Sequence, residues 1–142
     1  MNDEELRQAM QALESYQQQL ESVERQARLL QNTRDEATRA SRTIQALMDA
    51  KPGDELLVPI GSSCLITVNV SEKKKAVIGV GSKVSVEKDL PDALETLETT
   101  TKELNEAIQK TIGAMREIQG YVEQLTNAVQ SEYSARRQQQ AQ

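Results

Sequence analysis

Apolar residues recur at alternating steps of three and four along two stretches of this chain, and no other feature narrows its possible folds as much. From Leu6 the steps land on Ala9, Leu13, Tyr16, Leu20, Val23, Ala27, Leu30, Arg34, Ala37, Ser41, Ile44 and Met48, all apolar except Arg34 and Ser41. From Leu90 they land on Leu94, Leu97, Thr101, Leu104, Ile108, Thr111, Met115, Ile118, Val122, Leu125, Val129 and Glu132, apolar except for two threonines and the glutamate. The residues between are mostly Gln, Glu, Arg, Lys, Thr and Ser. A narrow seam of period 3.5 is the mark of a coiled coil, whereas a helix laid on a globular core carries a broader stripe.

The rest of the composition agrees with a rod. Among 142 residues there is no Phe, Trp or His, so no bulky aromatic core can form. At ~1.5 Å per residue each helical stretch would be roughly 70 Å long, which predicts an elongated molecule. A formal net charge of -5 disfavours nucleic acid as the main partner, because phosphate binding needs clustered Lys and Arg. Cys64 has no second cysteine to pair with, and the opening MNDEELRQ lacks the basic and apolar regions of a signal peptide. No apolar run approaches the ~18 residues that cross a bilayer. A soluble, cytoplasmic protein without a membrane partner is expected.

Helix boundaries are marked at both seams. Asn2 or Asp3 can cap the first helix, with Glu5 at the spacing of a capping box, and Lys51, Pro52 and Gly53 stop it. Asp89, Pro91 and Asp92 suit the start of the second. Between the helices the period changes to two: Leu56, Val58 and Ile60; Cys64, Ile66, Val68 and Val70; Ala76, Ile78 and Val80; Val84 and Val86. Breaks at 61–63, 71–75 and 81–83 divide these into four strands, or two hairpins. The fold class is therefore α+β, mainly α, with a coiled-coil helix over 1–51, a double β-hairpin module over 52–88, a second coiled-coil helix over 89–135 and a disordered polar tail over 136–142. So small a sheet leaves open edges and an apolar face that thin helices cannot cover, which points to oligomerisation through the strands. The residues expected to serve it are Leu56, Val58, Ile60, Cys64, Ile66, Val68, Val70, Ile78, Val80, Val84 and Val86.

Two helices of similar length joined by a compact module can fold back antiparallel. Pairing Met48 with Leu90 sets Ala27 near Thr111, Arg34 near Glu103 and Glu106, and Glu132 near Arg7, so each polar seam residue gains a companion. A parallel coil between molecules satisfies the same seam.

Chemistry is hard to place on this sequence. Gly79 and Gly81 begin no dinucleotide fingerprint, and no phosphate-binding GxxxxGK[ST] occurs. Cys64 lacks a histidine to activate it, and its place in an alternating strand suits a small buried hydrophobe. One Cys and no His leave a metal site without ligands, and the acidic residues read as solvated outer helix faces. Neither an enzyme nor a cofactor is expected.

What the seam does not absorb is apolar surface near the outer helix ends. Met10 and Tyr133 lie beside it, as do Tyr121 and Ala128 on the other flank. With Leu6, Leu13, Val122, Leu125 and Val129 they make either a wider helix contact or a groove for a partner. Gly120, outward-facing, loosens its helix by roughly 1 kcal/mol relative to alanine and favours an end that can splay.

The order coil, double hairpin, coil resembles the alpha class of the prefoldin family. The stretches ELLVPIGSSCLITVNV, Glu55 to Val70, and VIGVGSKVSVEKDL, Val77 to Leu90, are similar to the family's sequence through its two hairpins. The resemblance implies a hexamer of two alpha and four beta subunits, with the strands forming a β-barrel platform from which coiled-coil tentacles project. It further implies that unfolded or nascent polypeptides are held at the tentacle tips without ATP and passed to a group II chaperonin. Two rival readings are a structural coiled-coil adaptor with no affinity for unfolded chains, and an enzyme or its regulatory arm, for which the sequence displays no site.

Overall fold

A computed structural model describes residues 1–142. The element order is α1 (Asp3–Asp49), β1 (Glu55–Gly61), β2 (Cys64–Asn69), β3 (Lys75–Gly81), β4 (Val84–Asp89) and α2 (Leu90–Gln140). They divide into two units, one of Met1–Asn32 with Asn105–Gln142, the other of Thr33–Leu104.

In the first unit the helices run antiparallel. Tyr16 and Tyr121 stack with ring centroids 5.2 Å apart, and Arg136 reaches Asp3 at 2.7 Å. These contacts fit the register that sets Ala27 opposite Thr111, and both of those residues are buried. Ile108, 2 % exposed, is the best-covered large side chain in this unit, with Leu6 and Val129 buried further along. The capping box forms as its spacing predicts: Glu5 N–H donates to Asn2 Oδ1 at 2.8 Å, and Asn2 N–H donates to Glu5 Oε2 at 2.9 Å. Glu132 departs from the expected pairing. It binds Arg136 and the Met1 amine, while Arg7 turns to Glu4 one turn away.

The second unit holds the end of α1, both hairpins and the start of α2. Its core is Ile44, Leu90 and Ala93, with Leu47, Ala76, Ile78, Leu94 and Leu97 packed against them. Met48, the seam position expected against Leu90, is exposed, and Leu47 packs on the core in its place. Arg34 lies 3.5 Å from Asp35 on its own helix. Asp89 is the last residue of β4 and directly precedes α2, with its carboxylate 4.0 Å from Lys75.

The two hairpins repeat one another. β1 pairs with β2 from Glu55↔Asn69 to Gly61↔Cys64, and β3 with β4 from Lys75↔Asp89 to Gly81↔Val84, each with a register shift before its glycine. Every pair in the second lies ~20 residues after its counterpart, so a single hairpin design occurs twice. The turns match in backbone as well: Ser62 and Ser63 have φ of 50° and 58°, Ser82 and Lys83 have 50° and 62°. Positive φ at both central residues is the twist-matched two-residue hairpin turn. Gly61 and Gly81, at φ 110° and 106°, allow the bulge that precedes each turn.

The polar tail does not end the helix at 135. α2 continues through Arg136 and Arg137 to Gln140, because Gln, Arg and Ala are good helix formers and Arg136 is anchored to Asp3 and Glu132.

Candidate functional site

Two apolar surfaces stand out, one on the hairpins and one near the chain ends. On the hairpins, cross-strand pairing places Val58 beside Ile66 and Ile78 beside Val86. Val58, Ile60, Cys64, Ile66, Val80, Val84 and Val86 are all exposed within this chain. The remaining strand residues expected to serve assembly are partly used internally. Val70 is buried, tied by backbone hydrogen bonds to Gly53 and Asp54; Ile78 packs on the helix core, and Leu56 and Val68 are half-covered. Cys64, next to the first turn, is exposed within this chain, on the surface expected to serve assembly.

Sequence alternation overlooked the opposite hairpin face. Leu57 is 66 % exposed and Val77 70 %, with Leu65 exposed as well. In the first hairpin that face carries an apolar group, Leu57, Pro59 and Leu65, beside Glu55, Thr67 and Asn69. In the second the corresponding positions are Val77, Gly79 and Ser85, with Glu87 paired to Lys73 and Asp89 to Lys75. The Lys73 ammonium holds the Glu87 carboxyl below the usual carboxylate range. Comparing the two halves of the repeat would have exposed this difference, because Ser85 stands where the first hairpin has Leu65, and the charged Glu87 and Asp89 stand where it has Thr67 and Asn69.

Near the chain ends the predicted residues separate into exposed, half-buried and buried groups. Met10 and Tyr133, each 45 % exposed, meet across the helices, with Tyr133 O–H donating to Met10 Sδ at 3.5 Å. Tyr121 is exposed beside Tyr16 and donates to Glu117 at 3.1 Å, which raises its phenol above the ordinary value. Leu13, Val122 and Leu125 are half-buried in the seam. Leu6 and Val129 are not available as surface, because the helix pair itself covers them.

Beyond these lies a charged clasp. Arg136 donates from Nε to Glu132 Oε1 at 2.8 Å, from one terminal nitrogen to Asp3 Oδ1 at 2.7 Å and from the other to the Met1 carbonyl at 3.3 Å. The Met1 amine closes on Glu132 at 3.2 Å. Arg136, then the amine, lowers the Glu132 carboxyl; Glu132, then Asp3, raises the guanidinium.

A groove of about 710 Å³ beside β4 and the start of α2 is lined by Lys75, Glu87, Lys88, Asp89, Asp92, Glu95, Thr96, Thr99, Thr100 and Glu103, a polar lining unlike that of small-molecule sites. No helix is long and apolar enough to cross a membrane.

A family model described as Prefoldin subunit matches residues 16–135. The chain is 32 % identical to a prefoldin subunit alpha of Methanococcoides burtonii, over 80 % of this chain and 82 % of that one. It is 35 % identical to one of Nitrosopumilus maritimus, over 85 % and 81 %. Among solved structures, filamentous PFD from Methanocaldococcus jannaschii aligns with a TM-score of 0.67 at 25 % identity, covering 83 % of this chain and 98 % of that one. The prefoldin beta subunit from Thermococcus strain KS-1 shares the fold at 18 % identity, with a TM-score of 0.60 over 90 % and 91 %. With two hairpins set between paired helices, and alpha subunits as relatives over most of its length, this chain belongs to the prefoldin family.

Proposed function

We propose that this chain is the alpha-type subunit of a chaperone complex that holds unfolded polypeptides without ATP and delivers them to a group II chaperonin. Its hairpins assemble the complex with beta-type subunits, two alpha and four beta, in a strand-built barrel. Its helix ends hold clients through Met10, Tyr121 and Tyr133, helped by the half-buried Leu13, Val122 and Leu125. The observation that carries the reading is the pairing of a water-facing apolar surface on both hairpins with exposed Met and Tyr side chains near the chain ends. A hairpin left so exposed is an edge awaiting a partner. Met and Tyr are adaptable, weakly committed contacts, and several used together give avidity without a deep pocket. The family is one of chaperones rather than enzymes, and holding a client asks for no reacting group.

Co-expression with a beta-type subunit and mass measurement of the product test the assembly half. A complex of two alpha and four beta chains is expected, and a stable monomer would defeat it. The likeness to a filamentous prefoldin favours a second reading, in which this chain assembles with copies of itself. The same measurement separates the two, since that reading requires large homomeric species when the chain is expressed alone. Suppression of aggregation of a denatured protein tests the holding half and distinguishes it from a tether that binds only folded partners.

A further inference from the structure

Within the first unit, no side chain is buried between Leu6 and Ala27 of α1 or between Thr111 and Val129 of α2. Seam residues Leu13, Leu20, Met115, Ile118 and Val122 are only half-buried there. Covered residues bound the stretch on both sides: Ala27, Ile108 and Thr111 on one, Leu6 and Val129 on the other. The same stretch of α2 contains Gly113 and Gly120, and two turns of helix put them on one outward face. A Cβ built on either meets nothing within 4 Å. Close approach of a neighbour therefore does not account for them. α1 has neither glycine nor proline from Asp3 to Asp49, so the looseness belongs to one helix of the pair.

We infer that α2 bends over Gly113–Gly120 and opens this thinly covered part of the seam, so that an extended apolar segment of an unfolded polypeptide inserts between the helices. The inference rests on the holding reading above and extends it, since the client surface then includes the seam itself. The facing walls, Leu13 and Leu20 against Met115, Ile118 and Val122, are aliphatic and thioether groups. They impose no hydrogen-bond pattern on the chain they receive, and methionine adapts to irregular apolar shapes. α1 supplies the fixed wall, and the Tyr16–Tyr121 stack parts as α2 moves. Arg136 on Asp3, beyond the buried Leu6 and Val129, holds the outer ends together, which makes the motion an opening within the pair rather than fraying from its end.

The test uses the full chain assembled with a beta-type subunit, comparing wild type, Gly113→Ala with Gly120→Ala, and Gln119→Ala as an exposed control. Both glycine positions have room for the methyl group, and alanine is the better helix former, so the double variant will fold. Amide exchange over 112–128 should slow about fivefold per glycine replaced and stay unchanged in the control. A denatured, aggregation-prone protein should protect these amides in the wild type and be held several-fold more weakly by the double variant. Unslowed exchange would overturn the bend. Slowed exchange with undiminished holding would overturn insertion. A wild-type complex that holds no client would defeat the holding reading, and insertion with it, while the exchange comparison still decides the bend.

Discussion

Lys74 caps Ala50: its ammonium donates to the Ala50 carbonyl at 2.5 Å and also to the Leu47 carbonyl at 2.6 Å. α1 ends without a basic residue in its last turn, so the positive charge that a helix C-terminus favours comes from the linker between the hairpins. The same residue's carbonyl accepts from Leu90 N–H at 3.1 Å where α2 begins. One residue thus ties the end of one helix, the linker and the start of the other. Lys74→Met keeps the stem and removes the charged donor. It should lower stability by roughly 1–3 kcal/mol, read as the shift in thermal midpoint, and Lys74→Arg should recover part of the loss.

Ile108 anchors the buried layer beside Ala27 and Thr111. Truncation to alanine removes three carbons from a closed site and should cost roughly 2–5 kcal/mol. Leu29→Ala, at an exposed outer position, should stay within about 0.5 kcal/mol. Denaturant midpoints of the two variants check the contrast.

Acid should release the clasp at Arg136. The Glu132 carboxyl is lowered by Arg136 first and the Met1 amine second, so its folded pKa lies below its unfolded one. The stability it lends is complete above the unfolded value, near ~4.3, and is lost as pH falls through the folded value. Amides around Val129 to Arg136 should therefore hold their opening free energy from neutral pH to about 5 and lose part of it in stronger acid. Glu132→Gln should abolish that dependence. Salt near 1 M should weaken the clasp at neutral pH, because Asp3 and Arg136 are open to solvent.

Assembly should fail when charge enters the exposed hairpin face. Ile66→Asp and Val84→Asp sit on different hairpins and touch none of the helix core. Each should leave the chain helical by circular dichroism and reduce its incorporation into a complex with beta-type subunits at least tenfold, since an unpaired carboxylate would have to be desolvated. An undiminished complex by light scattering would contradict the role given to these residues.

The seam made the helices legible, because a 3.5-residue period over such length has few other readings, and the period-two alternation with Gly-Ser breaks made the four strands legible. Asn2 and Glu5 announced their capping box by spacing alone. Lys74 could not be foreseen: it lies 24 residues from Ala50, and nothing local marks a lysine as a cap for a distant helix. Val70 reads as assembly surface for a related reason, although it is buried within the chain. Alternation assigns a face, but whether a face is covered depends on where the hairpin sits on the helices: Ala76 and Ile78 pack on the helix core, Val70 is buried, and Leu56 and Val68 are half-covered. The helical end through Gln140 was missed because low complexity reads as disorder until Arg136 is seen to have partners. Leu6 and Val129 read as end surface from position alone, although the last closed layer of the pair consumes them.

The claim that this chain holds unfolded polypeptides is tested most directly by one assay. The complex assembled from this chain and a beta-type subunit is added, without ATP, to a denatured protein diluted from denaturant, and light scattering follows its aggregation. The account predicts that the wild-type complex suppresses scattering, and that replacing Met10, Tyr121 and Tyr133 together by serine reduces suppression several-fold at unchanged assembled mass. Scattering unaffected by the wild-type complex, or suppressed equally by the triple variant, would contradict it.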